Sequence, residues 1–520
     1  NGIIPNNSFS RATLRLNTDM QVRKWLKVGV DAHIRQATAI RPSQDSAAGI
    51  IGSILTMTPI TSALNDDGTY GYGRTGYNPL AIVNDGGTRK DVAPEVTFRA
   101  FAELTPLEGL YLKADYTRRQ VNSEGAVFIR PYDTYEGGRF MMTYPSTSDN
   151  GTRQEERTKT VNQQFIAQAS YEKTIERNYF KVMGVFQAEK LDYNYLLASR
   201  QNFQYDGYED LMHGDATTAG NSSNRYELAQ LSYVYRVNYS YDNRYLIELN
   251  GRYDGTSRFM KDQRWNFFPS FSLGWNVARE NFWKPLESVV NQFKLRGSWG
   301  ELGNQNTSNL YPFYEILPVK SNSGNWLVNG GKTNTADIPS LVSTLLTWER
   351  VRSFNVGFDF GAFSNRLTGS FDYFVRKTVD MVGPAPQLPL VLGIAPAIVN
   401  NADMKSYGFE IELSWRDRIG EVDYGVKFNL ADAQQKVVKY PNTTNAFSDW
   451  YAGKMSGEIW GYTSLGIAKT DEEMKEHLAS LPNGGQNQLG NKWGAGDIMY
   501  ADINGDGKVD GGKGTLADPG

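Results

Sequence analysis

Tyr233, Tyr235, Val237, Tyr239 and Tyr241 alternate with Val234, Arg236, Asn238 and Ser240. Successive residues of a strand point to opposite faces, so this segment carries one aromatic face and one mostly polar face. After the turn Asp242-Asn243-Arg244 the pattern resumes. Tyr245, Ile247, Leu249, Gly251 and Tyr253 share one face; Glu248, Asn250, Arg252 and Asp254 share the other. Two such runs about a tight turn make a β-hairpin. The alternation recurs over residues 270–277, 293–299, 353–360, 366–375, 409–415 and 423–430. It is weaker over 14–20, 25–34, 96–104, 110–116, 165–171 and 180–188. About fourteen strands, as seven hairpins, are expected.

The connections narrow the architecture. Within pairs they are short: 105–109, 173–178, 242–244, 362–365 and 416–421, with 279–291 the exception. Between pairs they are long: 36–94, 122–160, 191–226, 302–346, 378–403, and from 436 onward. Soluble β-sandwiches rarely alternate in this way. Transmembrane antiparallel β-barrels do, with tight periplasmic turns at one rim and long extracellular loops at the other. In lipid every backbone polar group needs a partner, and a closed barrel leaves no open edge. An apolar outer face averaged with a polar lumen also explains a mean hydropathy of only −0.50. Aromatic girdles at the two interfaces account for 30 Tyr, 25 Phe and 11 Trp. The competing reading is a large secreted β-sandwich or propeller with an aromatic core.

No membrane helix is expected. The longest uncharged stretch, Met381 to Ala402, is broken by Pro384, Pro386, Pro389 and Pro396 and reads as a loop. With 54 Lys plus Arg against 57 Asp plus Glu, the chain lacks the basic surplus of a nucleic-acid binder. The absence of cysteine excludes a disulfide scaffold, a Cys-ligated zinc and a Cys nucleophile. The chain begins Asn-Gly-Ile-Ile-Pro and stops at Asp518-Pro519-Gly520 within turn-like sequence, so a fragment of a longer protein is expected.

Several ordered blocks resemble the SusC/RagA family of TonB-dependent outer-membrane transporters. They are YLIELNGRYDGTSRF (245–259), WNFFPSFSLGWNVARENFW (265–283), LRGSWGELGNQN (295–306), NADMKSYGFEIELSW (401–415), IWGYTSLGIAKTDEE (459–473) and GDIMYADINGDGKVD (496–510). Residues 11–31 fit an earlier barrel-strand block of the family. The resemblance implies a barrel of about 22 strands around a plug domain. Residues 1–520 would be part of that one barrel domain, with 435–520 a long extracellular loop region. On that resemblance the plug, the TonB box and the final strands are expected to lie outside this sequence. The resemblance further implies a Gram-negative outer-membrane location, import of a glycan or peptide, a SusD-like surface lipoprotein as partner, and energy from TonB, ExbB and ExbD. A passive porin or structural barrel without energy coupling, and an outer-membrane hydrolase, are the alternative function classes.

Asp502-x-Asn504-x-Asp506-Gly507-Lys508-x-Asp510 has the spacing of a calcium loop, with oxygens at alternate positions and a glycine at the sharp turn. Position twelve is Lys513, so an EF-hand proper is not expected. A metal-free Asx turn is the equal alternative. Trp326, Trp450, Tyr451 and Trp493 fall in expected extracellular loops, where aromatic faces could stack on sugar rings or peptide side chains, or simply pack the loops. Thr470-x-x-Glu473 reads as a capping box before a short helix. Gly331-Lys332-Thr333 is no phosphate loop, because Trp326 stands where its first glycine belongs. His33, His213 and His477 form neither a metal pair nor a triad, and no catalytic residues are assigned.

Overall fold

The computed structural model describes residues 2–146, 150–204, 207–307, 310–320, 323–324, 326–383, 391, 393–394 and 396–519. Pro384, Pro386 and Pro389 of the expected proline-broken loop lie outside them. Among the described residues, fourteen long strands form one sheet in sequence order. They are β1 (Ser8–Arg23), β2 (Leu26–Pro42), β3 (Thr88–Leu107), β4 (Leu110–Ile129), β5 (Thr152–Ile175), β6 (Asn178–Gln201) and β7 (Gly220–Tyr241). Then follow β8 (Tyr245–Thr256), β9 (Trp265–Asn276), β10 (Val290–Asn304), β11 (Glu349–Ala362), β12 (Leu367–Val382), β13 (Asn400–Ile419) and β14 (Val422–Lys439). This is the expected meander, with short turns at one end and longer connections at the other. Among the described residues no helix is long and apolar enough to cross a membrane.

The chain divides into two compact units: residues 1–171 with 183–233, and 172–182 with 234–520. In the second unit the odd-numbered residues of β8 to β10 and their cross-strand partners form a continuous apolar belt. Tyr245, Ile247 and Leu249 oppose Trp275, Leu273 and Phe271. Phe271 and Trp275 oppose Trp299 and Leu295. Trp299, Leu295 and Phe293 oppose Phe354, Phe358 and Phe360. The belt continues through Phe371, Tyr373 and Val375 to Ile411, Phe409 and Tyr407, and then to Leu430, Phe428 and Val426. Cross-strand apolar pairs each stabilise the sheet by about 0.2–1 kcal/mol. Yet Leu249, Phe271, Leu273, Phe354 and Val356 remain exposed. An apolar face that large, left open by the chain itself, is suited to a non-aqueous surrounding.

The first unit repeats the design with the opposite parity. Leu14, Leu16 and Met20 of β1 meet Ile34, Ala32 and Val28 of β2. Val96 and Phe98 follow on β3, and Tyr116 and Phe165 pair across β4 and β5. The other face carries ion pairs: Arg99 to Asp31 at 3.2 Å, and Glu95 between Arg35 at 2.6 Å and Arg119 at 2.7 Å.

The strands run further than the alternation indicates. The connections expected over 36–94 and 122–160 shrink to 43–87 and 130–151, and that over 191–226 to 202–219. Thr152 to Lys159 reads TRQEERTK, polar on both faces, so no period is visible in it. Pro94 looked like a loop residue but sits inside β3, opposite Gln36. Lacking an N–H, it falls where the ladder to β4 passes from Val92↔Glu124 to Glu95↔Val121.

The turn between β7 and β8 holds Asp242 and Asn243 at φ 53° and 50°, the left-handed geometry that matches strand twist in a tight hairpin. At the long-connection end the two units each have a small core. In the first, Ile50, Ala81, Ile82, Val83 and Tyr132 pack together. Helix α1 (Ala47–Thr56) contributes Ile50, and helix α2 (Pro79–Asn84), capped by Asn78, contributes the next three. Tyr77 donates to Asp45 at 2.8 Å, and burial pushes its hydroxyl up to about 12. In the second unit the core is Phe259, Phe268, Leu346 and Trp348.

Candidate ligand-facing surface

The face opposite the apolar belt is polar and braced by charge. In the second unit Arg296 of β10 donates from Nε to Asp359 at 3.2 Å and from Nη2 to Asp372 Oδ2 at 2.6 Å. Arg296 and Asp372 lie two strands apart and meet across Gly357 of β11. A Cβ at Gly357 would come within 2.7 Å of the Asp372 carboxylate, so glycine is what admits the contact. Beside this pair, Asn238 and Asn250 donate to the two Glu248 oxygens at 2.6 and 2.8 Å. Lys181, Lys294 and Arg296, with Glu248, Ser272 and Ser298, line an open concavity of about 630 Å³. The wall offers fixed donors and acceptors of both signs.

The long connections stand at one end of this wall, and several are fastened to it. Trp348 is 2% exposed, packs against Phe259 and Phe268, and donates from Nε1 to the Arg264 carbonyl at 3.0 Å. Asn400 accepts from the Thr347 N–H at 3.0 Å and donates to the Thr347 carbonyl at 3.1 Å. Glu349 accepts from Asn304 at 2.6 Å and from the Val382 N–H at 2.8 Å. These residues carry no local sequence signal, because Trp348 and Arg264 are far apart along the chain.

The segment after β14 is folded. Helix α3 (Asp471–Ala479) has the expected capping box: the Glu473 N–H donates to Thr470 Oγ1 at 3.2 Å, and the Glu473 carboxylate accepts from the Lys469 N–H at 2.6 Å. Residues 464–467 and 498–500 pair as a two-stranded ladder. Between helix and ladder lies Gln486, fully buried, which donates to the Ile498 carbonyl at 2.9 Å and accepts from the Tyr500 N–H at 3.1 Å. Met474 and Val509 of the same segment are also buried, and the Val509 N–H donates to the Gly485 carbonyl at 2.8 Å.

The four aromatic candidates do not converge. Trp450 packs edge-on against Tyr440 at 6.0 Å. Its neighbour Tyr451 donates to Glu458, which also accepts from Trp460 Nε1 at 2.7 Å and from the Met455 N–H at 3.2 Å. Burial and this contact raise the Tyr451 hydroxyl, and the Tyr451 hydrogen bond holds Glu458 below the usual carboxylate range. Trp493 donates to the Gly490 carbonyl at 3.0 Å. Trp326 is exposed, in the separate connection between β10 and β11. Trp450 and Tyr451, adjacent in the chain, thus engage different partners, and Trp326 and Trp493 stand elsewhere.

In the Asp502–Asp510 turn the side-chain oxygens face backbone amides. Asp502 accepts from the Gly505 N–H at 2.7 Å and the Gly507 N–H at 2.7 Å, and Asn504 Oδ1 from the Asp506 N–H at 3.1 Å. Asp510 is paired with Lys508, and that contact lowers its carboxyl and raises the lysine. Among the described residues no group of three or more His, Asp or Glu side chains is disposed to hold a metal.

Against known proteins, the family model described as TonB dependent receptor-like, beta-barrel matches residues 50–512. TonB-dependent receptor P3 of Formosa agariphila is 26% identical over 98% of this chain and 50% of its own length. TonB-dependent receptor SusC of Bacteroides thetaiotaomicron is 28% identical over 54% of this chain and 27% of its own. Among solved structures, the RagAB peptide transporter superposes with a TM-score of 0.73 at 22% identity, covering 89% of this chain and 51% of that one. The chain spans about half the length of P3.

Proposed function

The chain belongs to the TonB dependent receptor-like β-barrel family of outer-membrane proteins, and from that premise we propose that it is part of the wall of a TonB-dependent importer. The proposed cargo is a glycan or a peptide. Residues 1–520 would supply barrel, with residues 435–520 as a loop region above it; a SusD-like lipoprotein would cover the long connections, and TonB, ExbB and ExbD would supply energy. The observation that carries the reading is the two-faced sheet within the family match: an apolar face for lipid and an ion-paired polar face for a lumen. The named relatives are receptors and transporters, and the polar wall suits binding rather than bond chemistry.

The test uses the full-length protein in an outer membrane and follows uptake of labelled oligosaccharides and peptides. Uptake of one class is expected to stop when the proton-motive force is collapsed. Uptake that continues unchanged would identify a passive porin instead.

For the Asp502–Asp510 turn we propose a competition: calcium would draw Asp510 from Lys508, with Asp502, Asn504 and Asp506 as its other oxygen ligands. Calcium added to the chelator-treated protein is then expected to slow proteolysis within residues 496–519, and Lys508→Ala to lower the calcium needed. Equal cleavage with calcium and with chelator would leave a self-sufficient turn.

A further inference from the structure

Of the connections at the short-turn end, 277–289 between β9 and β10 is the long one, and its side chains lie back over the apolar belt. Residues Asn281–Leu286 form a 3-10 turn. Phe282 packs edge-on against Trp275 of β9 at 6.4 Å. Its neighbour Trp283 stacks on Phe293 of β10 at 5.1 Å, with planes only 4° apart, and donates from Nε1 to the Val290 carbonyl at 3.0 Å. Trp275 and Phe293 both belong to the belt, opposite Leu295 and Phe360. The connection is thus seated on the lipid side of two adjacent strands. Glu280 fixes it there, accepting from Tyr245 at 2.7 Å, Trp275 Nε1 at 3.0 Å and Arg244 at 3.2 Å.

What this leaves outward is an apolar edge with a cation beside it. Phe282 is 63% exposed, Leu286 51% and Val289 47%. Lys284 is exposed between Phe282 and Leu286 and makes no ion pair among the described residues. Exposed apolar residues of this size, continuous with a lipid-facing belt and carrying tryptophan and lysine, match the pattern of a segment lying in the membrane interface.

We propose that residues 281–289 are an interfacial anchor. Phe282, Leu286 and Val289 enter the acyl–headgroup boundary at the short-turn end, and the Lys284 ammonium meets a phospholipid phosphate. The proposal rests on the outer-membrane assignment and extends it to a connection that a pure turn would leave in water.

The experiment places single cysteines, each spin-labelled, in the full-length protein in proteoliposomes of phosphatidylethanolamine and phosphatidylglycerol. The positions are Leu286 and Val289, with Leu273 as the lipid reference and Glu421 in the β13–β14 turn as the water reference. Collisions with a water-soluble nickel chelate are expected to be several-fold fewer at 286 and 289 than at 421, with oxygen collisions close to those at 273. Nickel collisions at 286 and 289 equal to those at 421 would overturn the anchor and leave that edge to a protein partner. Nickel collisions at 273 as frequent as those at 421 would instead count against the membrane assignment. Lys284→Glu is expected to raise nickel collisions at 286; no change would overturn the phosphate contact.

Discussion

Leu273→Arg destabilises the barrel by about 1–3 kcal/mol, the cost of an arginine on a lipid-facing strand between the midplane and the interface. Ser272→Arg, one residue earlier, costs far less. The two positions share strand β9 and differ in the face they occupy. Leu273 lies between Ile247 and Gly297 on the apolar belt and is exposed. A guanidinium there is surrounded by hydrocarbon, with no acid in register. Ser272 lies directly opposite Glu248 on the polar wall. An arginine placed there meets a carboxylate across the ladder and the open concavity above it. Urea titration of the full-length protein refolded into phosphatidylcholine vesicles measures both. Equal destabilisation by the two substitutions would remove the distinction between the faces.

Trp348→Ala releases the base of the β10–β11 connection, with a local loss of about 3–5 kcal/mol, typical of removing a buried tryptophan. The ring is held between Phe259 at 5.7 Å and Phe268 at 5.4 Å, so truncation opens a cavity that two other rings line. It also removes one of two donors to the Arg264 carbonyl, leaving the Thr256 N–H at 3.3 Å. Trp348→Phe keeps most of the packing and loses the hydrogen bond, which costs about 0.5–1.5 kcal/mol. Hydrogen exchange separates the cases. In the alanine variant, amides over 256–264 and 346–349 are expected to exchange much faster while those in the middle of β9 and β10 are unchanged. Uniform acceleration through β9 and β10 would mean that Trp348 supports the sheet rather than the connection.

The strands were legible where one face was apolar and the other polar. From β7 to β14 the residues facing together in the sheet are those that alternate in the sequence, down to Phe371 beside Phe358 and Ile411. The first residues of β5 were illegible because Gln154, Glu155 and Glu156 present polar side chains to both sides, leaving no period to detect. The cores at the long-connection end were hidden for another reason. Phe259, Phe268 and Trp348 are brought together by strand pairing over long separations, and none stands in a local pattern. Tyr451 was visible as a loop aromatic, but its engagement with Glu458 depends on how residues 451–460 fold back on the end of β14. The exception at 279–291 was visible only as an unusual length; its two rings capping Trp275 and Phe293 required coordinates.

The central claim is that this sheet separates lipid from a polar lumen, and residues 1–520 hold no cysteine to compete with a single label placed in it. Single spin-labelled cysteines at positions 267 to 275 of β9, in the full-length protein in phospholipid vesicles, report lipid and water contact residue by residue. Oxygen collisions are predicted to peak at 267, 271, 273 and 275 and nickel-chelate collisions at 270, 272 and 274, with a period of two. A profile without alternation, or one with its phase reversed, would contradict the assignment of the faces.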